Sequence, residues 1–462
     1  MSKNPFGVLN PEQLDAEYIA RNFVNVFTDL PRVKDLGNTF ISGARGTGKS
    51  MLLRALEPKV MLALGEIRNI KELPFLSIHV PLRKVEFGSP ELQRLAGYAR
   101  LAIGEHLLTM QIVFRLADSL ATLEEMILPD DAEKFCSEFN RLLSLSGRKT
   151  AGTDAEAAAW AQLPSPPAVA ALTAFLEAYP DGAHSEAAQN QLAALRLASS
   201  GRGGSKRIFD AIKSVCEEEI INVKQYYTRL PFEQQVQPYH GALTGFIDFL
   251  VPLSMVVKAF ASFNNVPLFI MLDDADNLPQ HLQLVLNSWV STRSTHVVCL
   301  KITTQLGYAT YRTIDNRLIE SPHDFSEVNL SVIYTSRLNV YSKRVTEIVE
   351  KRLKIAQIDT SVEKFFPFDE EQAARLEEIK EEIIREHGAE MARGEKGPAR
   401  SRDGAVRIAV PRLMTELAGS SKSSHTFSYA GFESMANLSS GVVRWFLEPA
   451  RQMYDHVVSE KK

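Results

Sequence analysis

Apolar positions along the chain follow two rhythms. Short runs, apolar almost throughout, occur at Asn38–Ser42, Phe75–Val80, Pro267–Leu272 and His296–Ile302. Runs of that length predict buried strands of a parallel sheet covered on both faces. A fifth stretch, "EVNLSV" (Glu327–Val332), reads as a strand as well. Elsewhere apolar residues return at helical spacing: in "KSMLLRALE" (Lys49–Glu57), in Lys206–Leu230, in Ala242–Phe263, in Tyr334–Lys354 and in the charged stretch Glu370–Arg393, which closes near Gly388. Strands alternating with helices predict an α/β domain with a parallel sheet.

The rhythm breaks in the middle. Residues 90–235 interrupt the α/β pattern, and part of this stretch is rich in alanine and small residues, as linkers are. Within it, residues 167–198 read as a helix, a "YPDG" turn and a second helix, resembling one tetratricopeptide-type hairpin. One such unit buries little alone, so it packs on the core, docks on a partner or is a tolerated surface insertion. The amphipathic helix Lys206–Leu230 is a candidate interface between subunits. The expected organisation is an α/β core over residues 1–335, interrupted by a helical insertion at about 90–235, and a helical region over residues 336–462.

Composition narrows the class. Of 462 residues, 45% are hydrophobic and 23% charged, as in soluble globular proteins, and the length suffices for two or three domains. The formal net charge of −4 gives no global basic field for gripping nucleic acid, so any DNA contact is local. A basic tract at Ala392–Arg412, carrying Arg400, Arg402 and Arg407, reads as an exposed loop able to touch phosphates. The three cysteines lie far apart with no C-x-x-C motif, which points to a reducing compartment and no structural zinc. No signal-peptide core opens the chain and no apolar run is long enough to span a membrane, so a cytoplasmic, membrane-free location is expected.

The chemistry starts at "GARGTGKS", which fits G-x-x-x-x-G-K-[ST] in full and follows a strand. Gly43, Ala44, Arg45, Gly46, Thr47, Gly48, Lys49, Ser50 and Met51 form the expected nucleotide cradle. The glycines let backbone N–H groups approach phosphate oxygens, and the helix that follows adds its dipole. Lys49 would reach the β- and γ-phosphates of ATP, and the Ser50 hydroxyl would sit on Mg²⁺. Such a loop needs acids at a neighbouring strand end. "FIMLDDAD" supplies them more than two hundred residues later: Asp273 for the Mg²⁺ shell, Asp274 to polarise water, and Asp276 either to support the shell or to cap the next helix. The next strand ends in Thr303, Thr304 and Gln305, and Thr303 or Thr304 is the candidate to read the γ-phosphate.

These motifs resemble the AAA+ ATPases, in particular the origin-recognition and initiator-loader clade and the related STAND ATPases. The resemblance implies a P-loop NTPase core with a C-terminal helical lid. In "LSSGVVRWFLEPARQMYD" it implies a sensor-two helix, with Gly441 and Arg444 as the G-x-x-R that places an arginine over the nucleotide. It also implies that the opening segment, "NPFGVLNPEQLDAEYIARNF", packs near the adenine. An arginine finger, donated by a neighbouring copy, is expected after the polar-tipped strand; Arg312 and Arg317 are available and Arg317 is the better placed. One departure stands out: Asp274 occupies the position where the family usually carries glutamate, which suits slow hydrolysis. No recognisable winged helix follows the lid, which weighs against a loader.

The resulting expectation is an Mg²⁺-dependent ATPase switch that forms a homo-oligomer and controls a protein effector, with bacterial defence against phage or mobile elements as its setting. The alternatives are a DNA-loading or DNA-remodelling ATPase and a non-hydrolysing, ATP-bound scaffold.

Overall fold

Five strands form one all-parallel sheet: β1 (Thr39–Ser42), β2 (Leu76–Pro81), β3 (Leu268–Asp273), β4 (Val298–Thr304) and β5 (Ser326–Asn329), in the order β2-β3-β4-β1-β5. The computed structural model describes residues 4–7, 14–25, 29–82, 90–147, 154–163, 167, 169–179, 182, 184–198, 204–292, 294–305, 307–331, 338–392, 402–419 and 427–460. The chain divides into two compact units, residues 9–330 and residues 1–8 with 331–462.

The expected strands are all present, the first four displaced by one or two residues at their ends. β4 runs on through Thr303 and Thr304, which pair with Ile41 and Ser42 of β1; threonine is at home in a pleated strand. β5 stops at Asn329, and Leu330 and Ser331 already turn helical, so the strand expected over "EVNLSV" ends early; Val332 lies outside the described residues. β3 and β4 are buried at every position, which is why they read as continuous apolar runs.

One residue breaks that apolar rule without breaking the strand. Lys301, in mid-β4, is fully buried, and its ammonium donates to the Asp35 carbonyl (2.7 Å), the Gly37 carbonyl (2.9 Å) and Thr39 Oγ1 (3.1 Å). It lies 4.6 Å from the centre of the Phe269 ring. Burial lowers its pKa to about 8. Three oxygens and an aromatic face replace its water shell, and the contacts hold the turn that leads into β1.

In the larger unit, α1 (Ala16–Asn22) and α2 (Leu30–Lys34) precede β1 in the chain, and α3 (Lys49–Arg54) and α4 (Pro58–Leu64) lie between β1 and β2. Six helices then separate β2 from the helix before β3: α5 (Gly97–Thr122), α6 (Pro129–Ser146), α7 (Asp154–Ala161), α8 (Val169–Ala178), α9 (Ser185–Ala198) and α10 (Gly204–Arg229). The apolar face of α10 (Ile208, Phe209, Ile212, Cys216, Val223 and Tyr227) is buried, and α10 packs on α5 and α6. That face is spent inside the chain. The alanine-rich stretch is not all linker either. α7 carries Trp160, which packs 5.2 Å from Phe175 and stacks at 5.0 Å on His184, while Glu156 accepts the His184 N–H at 2.7 Å. Leu172, Phe175, Ala188 and Leu192 form the small core that α8 and α9 share.

The segment read as one helix before β3 is a π turn (Phe246–Leu250) followed by α11 (Val251–Lys258). Pro252 lacks the N–H a regular helix interior needs, and it sits in the first turn of α11 directly after the π turn, where the backbone pairing changes register. α12 (Gln280–Ser291) links β3 to β4.

Between α5 and α10 lies a buried polar contact. Thr244 N–H donates to His106 Nδ1 (3.2 Å), leaving His106 Nε2 3.8 Å from Glu219 Oε2, and neither of these two atoms has a hydrogen-bond partner. Burial, with Glu186 and Glu218 nearby, raises the Glu219 pKa to about 7, and burial lowers that of His106 to about 4. A carboxyl with a raised folded pKa costs stability as pH rises from its ordinary value through the folded one. Glu219→Gln is therefore expected to match the wild type in urea denaturation at pH 4 and to exceed it at pH 8, by about 2 kcal/mol.

The smaller unit is helical: α13 (Leu338–Ile355), α14 (Val362–Phe365), α15 (Glu370–Ala392), α16 (Arg402–Gly419), α17 (Phe432–Leu438) and α18 (Val443–Glu460). α15 continues past Gly388. Ile379, Ile383, Ala409 and Leu413 bury the seam between α15 and α16. The basic tract is thus in part a helix, and Arg412 is held by Glu382 (3.2 Å) and Glu386 (3.1 Å) rather than free in a loop; residues 393–401, including Arg400, lie outside the described residues. The opening segment is divided between the units. Phe6 is buried in the smaller one between Phe365 and Phe366 (5.6 and 5.5 Å), and Arg352 donates to the Pro5 and Gly7 carbonyls. Residues 4–7 therefore belong with the smaller unit, whereas residues 1–335 were expected to form one core.

Candidate active site

The glycine loop joins β1 to α3. Gly46 and Gly48 have φ of +91° and +97°, a backbone open to glycine and strained for other residues, and Gly48 is the N-cap of α3. Thr47 ties the loop by donating from Oγ1 to the Ala44 carbonyl (2.9 Å). Lys49, only 5% exposed, folds back over the loop, its ammonium donating to the Gly43 (2.7 Å) and Ala44 (3.2 Å) carbonyls. Burial lowers its pKa, opposed by Asp274, Asp273 and Asp276 in that order. The loop lysine and the distant acids therefore share one electrostatic site.

The sheet order explains the meeting. β4 lies between β1 and β3, so the carboxyl ends of all three open on the same side. Asp273, 1% exposed, closes β3. Its Oδ1 accepts from Thr303 Oγ1 (2.5 Å) and its Oδ2 is 3.1 Å from His79 Nε2. Burial alone would raise its pKa; the hydrogen bond and charge of His79, with hydrogen bonds from Ser50 and Thr303, reverse that and hold it at about 2. Ser50 and Asp273, the two residues expected on Mg²⁺, thus face each other. A hydroxyl and an ionised carboxylate are the hard oxygen donors this ion takes alongside phosphates.

Asp274 takes a left-handed backbone (φ +59°), which aspartate tolerates better than most side chains. Its N–H donates to Thr303 Oγ1 (2.8 Å). The single Thr303 proton is committed to Asp273, so Thr303 braces the acid pair. Thr304, also buried, stands beside Ser42 at the mouth of the loop, where the Ser42 hydroxyl is buried without a hydrogen-bond partner. Asp276 accepts from the Gln305 N–H (3.0 Å), tying the acidic turn to the end of β4.

Arg317 is half-exposed and bonded to Asp324 (3.3 Å) within the larger unit, and Arg312 donates to the Asn316 carbonyl. Arg444 is exposed on α18 of the smaller unit, three residues after Gly441 (φ +83°). His79 was missed by the sequence reading. Its only signal was a histidine near the end of the largely apolar β2. His79→Ala is expected to lower ATP turnover about tenfold at saturating ATP and Mg²⁺ and to raise the Mg²⁺ requirement, with His79→Gln recovering part of both, as partners of metal ligands do.

A five-stranded parallel sheet, a complete phosphate loop and an acidic strand end facing it define a P-loop ATPase core of the AAA+ kind. The chain belongs to the ORC-CDC6-like family, whose model matches residues 4–462. No curated protein and no solved structure matches it. Among the described residues no helix is long and apolar enough to cross a membrane.

Proposed function

We propose that this chain binds ATP with Mg²⁺ and hydrolyses it slowly, as a switch that controls its own assembly or a protein effector. The observation that carries the reading is the convergence of Lys49, Ser50 and Asp273, with Asp274 beside them, from segments more than two hundred residues apart. Gly43 to Met51 cradle the phosphates, and Lys49 exchanges its loop carbonyls for phosphate oxygens. Ser50 and Asp273 hold the metal, which when bound neutralises charge on the transferring phosphoryl group. Asp274 orients the attacking water, and Thr303 and His79 keep Asp273 ionised and aimed. With Thr303 so engaged, Thr304 is the residue left to read the γ-phosphate. Arg444 from the lid and Arg317 from a neighbouring copy complete the charge stabilisation.

Family membership supports a second, initiator-like reading: a DNA-loading or DNA-remodelling ATPase. Neutralising Arg400, Arg402 and Arg407 then abolishes DNA stimulation. The switch reading is favoured by the aspartate at 274 and by the helices α7–α9, which offer a surface for a partner. A role in defence against mobile elements fits either form. Phosphate release and solution mass, measured with and without ATP and DNA for wild type and Lys49→Ala, test these readings together: equal ATP binding by the two proteins would overturn the site.

A further inference from the structure

A second polar cavity, of about 280 Å³, runs along β2 at the free edge of the sheet, between α4 and α5. Its charged lining is Arg54, Glu57, Lys59, His79, Arg115 and Asp118. Three of these charges are already answered. Arg54 makes a two-pronged contact with Glu57 (3.0 and 3.1 Å), and Asp118 accepts from Lys213 Nζ (2.7 Å). Lys59 and Arg115 have no ion-pair partner among the described residues, and Arg115 Nε is buried with no hydrogen bond. A buried guanidinium N–H without an acceptor is rare, and it lines a cavity that keeps two uncompensated positive charges. An anion with several oxygens answers both, since a guanidinium fork binds phosphate oxygens in pairs while a lysine adds a point charge.

We propose that this cleft is a second ligand site that takes a small phosphate-bearing anion, and that its occupancy is felt at the ATPase centre through His79. The histidine is a wall of the cleft and touches Asp273 Oδ2 at 3.1 Å, so a ligand pressing on its ring acts on the carboxylate expected to hold the metal. The second half of the proposal rests on the ATPase reading; the binding itself does not.

Calorimetry with inorganic pyrophosphate on the full chain carrying Lys49→Ala, which disables the phosphate loop, tests the binding. One pyrophosphate per chain is expected. Adding Arg115→Gln and Lys59→Gln should weaken it at least tenfold with the melting temperature unchanged, whereas Arg115→Lys should retain most of the affinity. No heat up to millimolar pyrophosphate, or equal affinity in the glutamine variants, overturns the proposal, as does binding of single-stranded DNA but not pyrophosphate. The coupling is read as a change of at least twofold in wild-type turnover at saturating ATP that disappears in Arg115→Gln. A wild type that turns over ATP but ignores pyrophosphate overturns the coupling. A wild type that binds pyrophosphate at this cleft but hydrolyses no ATP overturns the function proposed above and leaves the second site standing.

Discussion

Lys49→Ala is expected to reduce ATP affinity by at least tenfold and hydrolysis to background, measured by nucleotide titration and phosphate release. Its ammonium is the one side-chain cation on the phosphate loop that is drawn into the field of Asp273, Asp274 and Asp276 while bonded to Gly43 and Ala44. Removing one preorganised donor from such a centre typically costs a factor of about 10² to 10³ in rate. The fold should survive, because Thr47 still ties the loop and α3 is anchored by the fully buried Leu52 and Leu53. Circular dichroism on the same samples separates a dead site from a collapsed one.

Asp274→Asn should have the second-largest effect, lowering hydrolysis by about 10² or more, within the range for loss of a general base, while ATP affinity changes little. The variant is unusually clean. Position 274 has left-handed backbone geometry, which asparagine adopts as readily as aspartate, so the Thr303 and Asn277 contacts to its backbone persist. What is lost is the charge. The same geometry bears on the departure from glutamate. A longer side chain in this backbone is strained, so the turn itself favours a short acid, and Asp274→Glu measures reach against strain directly. If Asp274→Asn hydrolyses ATP at the wild-type rate, the water is oriented elsewhere and the roles given to the acid pair are wrong.

Much of this was legible in the chain. The continuous apolar runs of β3 and β4 announce strands buried on both faces, and the loop spelling places Gly46 and Gly48 where positive φ is required. Both are local properties: a few consecutive residues and the sterics of their own backbone decide them. Trp160 was passed over as part of a linker because alanine-rich composition says nothing about a single aromatic anchor. α10 was offered as an interface because an apolar stripe shows that a face must be buried, not against what.

The amino-acid order by itself determined that a phosphate loop and an acidic strand exist, that the sheet is parallel, and that helices interrupt it. Only the tertiary structure decided what the acids touch. The strand order put Thr303 and His79 on Asp273, turning one candidate γ-phosphate reader into a brace and adding a residue the pattern did not flag. In the smaller unit, helix packing put Phe6 among the phenylalanines of α14 and the residue after it, and Arg412 against Glu382 and Glu386. These contacts join residues with no shared local signal. Hydrogen bonds and packing between distant segments depend on which strands become neighbours, and that choice belongs to the buried core as a whole.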